Sequence, residues 1–188
     1  MAQIQNGGFE TAGLTISNAA NWTVDTAAGG PVYGARTNDN PFAGSFDFQV
    51  HLASVGAGPV VQFNQSAIPV SPGPLTLSFE ADRLSGSAGD VEEYNIQWFN
   101  ASNGLISQTG YTGFSPGANV YALTSANVTA PAGAVTATVF LHFAGAAAPT
   151  LSANVDIDNV ALVPEPTTMS LIAMGLLGGF AMLRRRKK

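Results

Sequence analysis

Carboxylates are the side chains of this sequence whose spacing best suits catalysis. Asp156 and Asp158 alternate along one predicted strand, so their carboxyl groups share a face roughly 6.5 Å apart. Glycosidases use two carboxylates about 5–9.5 Å apart, one of them with a raised pKa, so this spacing permits hydrolysis. Glu92 and Glu93, which follow Asp90 at a strand entry, instead have the pattern of a solvated rim.

Other catalytic chemistries find no support. The sequence contains no cysteine, which excludes a thiolate nucleophile, a disulfide framework and a thiolate metal site. No serine lies in a Gly-x-Ser-x-Gly motif, and neither His51 nor His142 has a nucleophile and an acid arranged around it. Two histidines are also too few for a zinc site. We therefore predict that the protein is not an enzyme.

Aromatic side chains next to polar ones suggest sugar binding. An aromatic ring covers the apolar C–H surface of a sugar, while a few polar groups bind its hydroxyls. Phe99 projects from a strand face that also carries amides, and His142 lies on the polar side of its strand. Trp98 is a third candidate, although it shares a face with Tyr94 and Ile96, a pattern that favours the core. An equally good interpretation is that His142 is a surface histidine that contacts no ligand.

Strands must position these groups, because apolar and polar residues alternate with period two and no stretch of the body has a helical period. Five stretches show the alternation clearly, and shorter ones near residue 4 and at 22–24, 32–35, 60–64 and 121–128 bring the total to about 8–10 strands. Turn-forming segments rich in Gly, Pro, Asn and Ser separate them. The sequence therefore predicts an all-β sandwich. The five clear stretches are 46–52, 75–80, 94–99, 135–143 and 155–162.

Charge is divided unevenly along the chain. Residues 1–163 contain two cations, Arg36 and Arg83, against eleven carboxylates, which gives a net charge of −9. Two scattered arginines cannot neutralise a run of phosphates, so nucleic-acid binding is excluded as a function. Peripheral attachment to anionic lipid is disfavoured for the same reason.

The end of the sequence has three parts in order: Pro164-Glu165-Pro166, an apolar segment and a basic cluster. The arrangement resembles the PEP-CTERM sorting signal of Gram-negative bacteria that make exopolysaccharide. This resemblance implies an exported protein whose tail is handled by an exosortase, a membrane transpeptidase-like enzyme. A plain C-terminal membrane anchor is the alternative. The basic cluster comprises Arg184, Arg185, Arg186, Lys187 and Lys188.

Residues 168–183 are expected to form a short transmembrane helix in the inner membrane. The apolar run from Met169 to Leu183 would reach about 22 Å, which is short for a bilayer, but the basic side chains behind it can extend to the headgroups. Because basic residues stay on the cytoplasmic side, the body lies outside the inner membrane. We expect transient anchoring followed by a place at the cell surface or in a biofilm matrix. The sequence starts without an export leader although its tail implies export. We therefore expect either a mature form with a starting Met or a misplaced start site.

The body resembles the galactose-binding-like jelly rolls, in particular carbohydrate-binding modules of the family 4/9/22 type. The resemblance is carried by Asn6-Gly7-Gly8-Phe9-Glu10 and by the last strand, residues 155–162. It implies a jelly-roll topology and a structural Ca²⁺ bound by the Gly8 carbonyl and the carboxylates of Glu10 and Asp158. Hard oxygen ligands suit Ca²⁺, and the turn at 37–40 is expected to supply more of them. Alternatively, the two carboxylates accept backbone N–H groups.

We predict two parts: a jelly-roll domain at residues 1–162 and a sorting signal at residues 163–188. The preferred function is an exported, non-catalytic module that binds carbohydrate, namely exopolysaccharide. A structural or adhesive envelope protein without a defined ligand is the second hypothesis, and a glycoside-active enzyme is the third.

Overall fold

A computed structural model describes residues 4–13, 19–27, 32–52, 60–85, 90–144 and 153–165, and all of its regular elements are strands. Twelve strands form two sheets, which confirms the predicted all-β sandwich. In chain order they are β1 Thr23–Ala27, β2 Val32–Thr37, β3 Asp47–Leu52, β4 Val60–Pro69, β5 Gly73–Ser85, β6 Val91–Phe99, β7 Leu105–Gln108, β8 Thr112–Gly113, β9 Gly117–Ala118, β10 Ala122–Ala130, β11 Thr136–Ala144 and β12 Ala153–Pro164.

The first sheet has the order β1-β4-β11-β6-β7, with the short β8 paired to β6. The second has the order β10-β5-β12-β3-β2, with β9 paired to β5. Every pair is antiparallel except β5 with β9. Chain neighbours are often separated in the sheets, so the long central strands β11 and β12 lie between strands from distant parts of the sequence.

The core lies between the sheets because alternate residues of each strand point inward. Phe48, Val50 and Leu52 of β3 are buried, as the alternation predicts. An aromatic cluster fills the centre, with the rings of Phe48 and Phe63 4.5 Å apart and Phe63 stacked on Phe143 at 5.8 Å. The burial of these large rings contributes strongly to the stability of the sandwich.

The predicted strands are found except the one near residue 4, with shifted ends and three short additions, β7, β8 and β9. Ile4 is buried but lies outside any strand. Val135, predicted to face inward, is exposed because it precedes the first residue of β11. Strand β12 contains a bulge at Asn159, which has a φ of 52°. Because the bulge adds one residue to the strand, Ile157 and Val160 both face the core although they are three residues apart.

The N-terminal Asn6-Gly7-Gly8-Phe9-Glu10 segment closes one end of the sandwich. The Asn6 amide donates to the carbonyls of Thr11 and Ala20, which holds the turn. Phe9 has a φ of 54° and is completely buried, with its ring 5.4 Å from that of Phe48. A bulky residue at positive φ is costly, so the buried ring must stabilise the turn.

The strand β12 runs through Pro164, and the Glu165 N–H donates to the Pro74 carbonyl at 3.2 Å. The sheet therefore extends to the first residues of the predicted sorting segment. Pro166 and the predicted helix at 168–183 lie outside the described residues, as does the basic cluster. Among the residues that are described, no helix meets the length and hydrophobicity needed to cross a bilayer.

Candidate functional site

The outer face of the first sheet carries a row of amides around two ring side chains at its centre. On β11, Phe140 lies between Asn64 of β4 and Asn95 of β6 in the strand register. The next outward residue, His142, lies between Gln62 and Glu93 in the same way. We call these six residues the amide face: Gln62, Asn64, Glu93, Asn95, Phe140 and His142.

Tyr111 extends the amide face from the turn before β8. Its ring centroid lies 5.2 Å from that of His142, and its hydroxyl donates to Gln62 Oε1 at 3.3 Å. The ring is 54% exposed, so it is available to a ligand. Glu93 Oε2 lies 3.5 Å from His142 Nδ1, which is an ion-pair distance if the imidazole is protonated.

Two polar atoms of the amide face are buried without a hydrogen-bond partner in the part of the chain that the structure describes. They are Asn95 Oδ1 and His142 Nδ1. Because a buried polar atom without a partner is costly, such atoms mark positions where a water or a ligand group completes the hydrogen bonding.

The three predicted sugar contacts have different locations. His142 is on the amide face, and Phe99 is on the same side of the sheet at the other end of β6. Phe99 pairs with Thr136, six residues before His142, so the two side chains are roughly 20 Å apart along the strands. Trp98 is 2% exposed and faces the core, so the structure removes it from the sugar-binding candidates.

Sequence reasoning included Tyr111 among the aromatic side chains that could contact sugar, but it did not place Tyr111 beside His142 and did not select Gln62 or Asn64. The alternation in β11 did place Phe140 on the polar side with His142. Tyr111 lies in a turn with no periodic pattern, and the amides of β4 meet β11 only through pairing across about 75 residues of chain. Without the register, their proximity could not be inferred.

The second sheet carries a buried acidic cluster on its outer side. Asp82 of β5 and Asp156 of β12 are directly opposite in register. Both are almost completely buried, and the Asn40 amide nitrogen lies 3.1 Å from Asp82 Oδ2 and 3.3 Å from Asp156 Oδ2. Asp156 also accepts from Gln49 Nε2 at 3.1 Å. Burial raises the pKa of Asp156, the hydrogen bonds from Gln49 and Asn40 lower it, and the charge of Asp82 raises it.

A third member of the cluster, Asp47, is held by Tyr121. The Tyr121 hydroxyl lies 3.1 Å from Asp47 Oδ2 and 2.7 Å from the Asn40 carbonyl oxygen. Burial, followed by the charge of Asp156, raises the pKa of Asp47 from 3.8 to about 7. The cluster is covered by residues 38–46, which we call the covering segment.

The structure also brings Gly8, Glu10 and Asp158 to the edge of the covering segment. Glu10 Oε1 accepts from the N–H groups of Ser45 and Phe46 at 2.8 and 3.1 Å. Asp158 Oδ2 accepts from the Ala43 N–H at 2.9 Å. A methyl group at Gly8 would lie 3.6 Å from Asp158 Oδ1, which places this glycine beside the carboxylate. Burial raises the pKa of Asp158, and backbone N–H donors oppose that shift.

A cation at this edge would meet oxygen donors only, as Ca²⁺ prefers. Within the described ranges, no three His, Cys, Asp or Glu side chains are arranged to hold a metal ion. Glu10 and Asp158 would therefore need the Gly8 carbonyl, further carbonyls or water to complete the coordination shell. Both carboxylates already accept backbone N–H groups, the alternative role that the sequence left open.

The acidic pairs do not have the geometry of an exposed glycosidase site. Asp156 and Asp158 are fully buried beneath the covering segment. The prediction of a solvated rim is wrong for Glu92, which is 6% exposed and pairs with Arg83, because its side chain turns towards the interior. On the outer face of the first sheet, Asp25 and Glu93 lie three strands apart, roughly 14 Å, beyond the 5–9.5 Å that glycosidases use.

Comparison with known proteins confirms that the C-terminal tail is a sorting motif. Residues 162–187 match the family model described as the PEP-CTERM protein-sorting motif. The motif indicates an exported protein that is sorted to the cell surface. No curated protein matches the sequence.

Solved structures confirm the fold of the body. The enzymatically active domain of tailspike protein 4 from bacteriophage CBA120 is similar at a TM-score of 0.63 and 20% identity, over 86% of this chain and 21% of that one. The CBM22-1 xylan-binding domain of Paenibacillus barcinonensis Xyn10C has a TM-score of 0.52 and 12% identity, over 85% and 94%. A family 4 carbohydrate-binding module has a TM-score of 0.52 and 17% identity, over 86% and 99%.

The chain thus spans about a fifth of the tailspike chain and nearly all of the two binding modules. At these identities the similarity is one of fold: a β-sandwich of the kind found in carbohydrate-binding modules. Because a catalytic protein and binding modules both share it, the fold does not decide between catalysis and binding.

Proposed function

We propose that the protein is an exported, non-catalytic module that binds polysaccharide, in the first place exopolysaccharide, on the amide face. The observation that carries the proposal is the register of the first sheet, which sets Phe140 between the amides of Asn64 and Asn95 and His142 between Gln62 and the Glu93 carboxylate. The exposed ring of Tyr111 lies beside them.

These groups match the chemistry of a sugar ring. Ring side chains take its apolar C–H surface, and amides act as both donors and acceptors for hydroxyl groups. The unpartnered Asn95 Oδ1 offers a buried acceptor beside Phe140. The distance of roughly 20 Å between His142 and Phe99 suits an extended oligosaccharide better than a single sugar.

Loss of the Tyr111 ring is expected to weaken polysaccharide binding by about tenfold or more, since a stacked ring contributes of the order of 1–2 kcal/mol. The test is affinity electrophoresis of the full chain and of Tyr111→Ala through gels containing exopolysaccharide. His142→Ala and Phe99→Ala are expected to show weaker retention as well. Phe42→Ala is the matched control, because it removes an exposed ring from the covering segment of the other sheet.

Equal retention of all four variants would overturn the assignment of the amide face. If the unmodified chain were not retained by any polysaccharide, the structural or adhesive role would be preferred. Release of reducing sugar from the polysaccharide would instead support the enzyme hypothesis.

The sorting motif supports a second part of the proposal. We propose that an exosortase in the inner membrane of a Gram-negative cell recognises Pro164-Glu165-Pro166, while residues 168–183 anchor the chain transiently. After cleavage near Pro164, which removes both the apolar segment and the basic tail, a body of charge −9 has little attraction for anionic lipid, so it would leave the membrane.

Intact mass spectrometry of the protein from the native envelope is expected to show a chain that lacks the residues after about Pro164. Deletion of 184–188, which removes the basic stop, is expected to prevent this processing. A full-length mass for the surface-exposed protein would contradict cleavage and leave a short-anchored module.

The proposal includes a structural Ca²⁺ held by the Gly8 carbonyl and the carboxylates of Glu10 and Asp158. What supports it is the position of these three groups beside the covering segment, with oxygen ligands from the N-terminal segment and from β12. The ion would tie the N-terminal segment to β12.

A further inference from the structure

Three buried carboxylates lie under the covering segment, in addition to Glu10 and Asp158 at its edge. Asp47, Asp82 and Asp156 come from three neighbouring strands and are each 2% exposed or less. Asp82 and Asp156 hydrogen-bond to neutral amides, those of Asn40 and Gln49. Neutral amides do not cancel the charge of two carboxylates, so the cost of burying both as anions remains.

A buried oxygen atom without a hydrogen-bond partner indicates that this place can bind a ligand. Asp82 Oδ1 is inaccessible to solvent and has no hydrogen-bond partner among the described residues, and the same is true of the neighbouring Asp47 Oδ1. A buried carboxylate oxygen accepts a proton or binds a cation when no donor reaches it. Asp82 and Asp156 are opposite each other in register, so one ion could contact both.

We infer that Asp82, Asp156 and Asn40 bind a divalent cation, Ca²⁺, at a second site distinct from the one at Glu10 and Asp158. The Asn40 amide nitrogen stands between the two carboxylates, at 3.1 and 3.3 Å, where a positive group is favoured. Rotation of this amide presents its oxygen instead, and Asn side-chain oxygens are good Ca²⁺ ligands.

All of the ligands at this site are oxygen atoms, which hard cations prefer. Two carboxylates and an amide oxygen leave places for carbonyl oxygens or water, and Ca²⁺ takes six to eight oxygens in flexible geometry. No three His, Cys, Asp or Glu side chains in the described residues are arranged to hold a metal ion, and the inferred site contains two carboxylates. The cysteine-free sequence offers no soft ligand.

Binding at this site would fasten the covering segment to the second sheet. Asn40 belongs to the segment, whereas Asp82 and Asp156 belong to β5 and β12. Tyr121 reinforces the same attachment through the Asn40 carbonyl oxygen. The cation would therefore connect three parts of the chain without contacting the amide face.

Isothermal titration of the full, chelator-stripped chain with CaCl₂ tests the inference by counting ions. The unmodified chain is expected to bind two ions, Glu10→Gln one, Asp82→Asn one, and the double variant none. Asp25→Asn, which removes an exposed carboxylate from the other sheet, is the control and is expected to bind two. At a hundredfold excess over Kd, each ion is expected to raise the melting temperature by about 5–10 °C.

A second variant keeps the test decisive if Asp82→Asn fails to fold. Asn40→Asp adds a carboxylate to the site and is expected to tighten Ca²⁺ binding about tenfold or more. If the cluster instead holds only a shared proton, Asn40→Asp would lower stability without any gain in affinity. One ion in the unmodified chain that is lost in Glu10→Gln and kept in Asp82→Asn, or no ion at all, would also overturn the second site.

Discussion

Replacing Gly7 by alanine is expected to lower the free energy of unfolding by more than about 3 kcal/mol, because the new methyl group has no room. It would lie 1.9 Å from the Val160 carbonyl oxygen, well inside van der Waals contact. The obstacle is backbone, and it is fixed at two points. The Val160 N–H donates to the Gly7 carbonyl at 2.9 Å, and the Val160 side chain is packed in the core.

Urea unfolding of the full chain measures this effect. Gly113→Ala is the matched control: its methyl group would have only the Glu92 carbonyl oxygen at 3.8 Å, an ordinary contact, so a change within about 0.5 kcal/mol is expected. If Gly7→Ala were as stable as this control, the close contact between the N-terminal segment and the bulge of β12 would not exist in solution. The position of Glu10 beside Asp158 would then lose its physical basis.

Replacing Asp47 by asparagine is expected to stabilise the protein at pH 8 in the presence of a chelator, on the order of 3 kcal/mol. Burial raises the pKa of Asp47 to about 7, so at pH 8 the folded protein holds a buried carboxylate near the charges of Asp156 and Asp158. Asparagine removes that charge and keeps an oxygen that accepts the Tyr121 hydrogen bond.

The pH dependence has a definite sign. Between pH 3.8 and about 7 the folded state retains a proton on Asp47 that the unfolded chain releases. Stability that depends on this proton is therefore present at low pH and lost as the pH rises towards 7. We expect Asp47→Asn to flatten this part of the curve of unfolding free energy against pH, measured by urea unfolding from pH 4.5 to 8.

Asp25→Asn removes an exposed carboxylate and serves as the comparison, with a curve expected to match that of the unmodified chain. An unmodified chain whose stability did not change between pH 5 and 8 in chelator would contradict a raised pKa at Asp47. A larger pH effect in chelator than in Ca²⁺ would agree with cation binding at the neighbouring carboxylates.

Local sequence patterns were sufficient for the sandwich and the tail. The alternation in β3, β5, β6, β11 and β12 predicted which residues face inward, because the pleat of a strand forces side chains to opposite sides. The three-part tail was recognisable from composition and order alone, and its family model confirms it. Trp98 was the ambiguous case, because it was a candidate for sugar binding although it shares a face of β6 with Tyr94 and Ile96. The structure buries it with them in the core.

The sequence alone also showed that the body is acidic and poor in cations, from which we predicted that nucleic acid is not a partner. What only the tertiary structure decided was which polar residues meet. Gln62, Phe140 and Asn95 come together because β11 pairs with β4 on one side and β6 on the other. Asp82 and Asp156 meet through pairing across more than 70 residues. Alternation fixes the face of a residue, but its neighbours on that face depend on strand order and register, which are set by the packing of the whole sandwich.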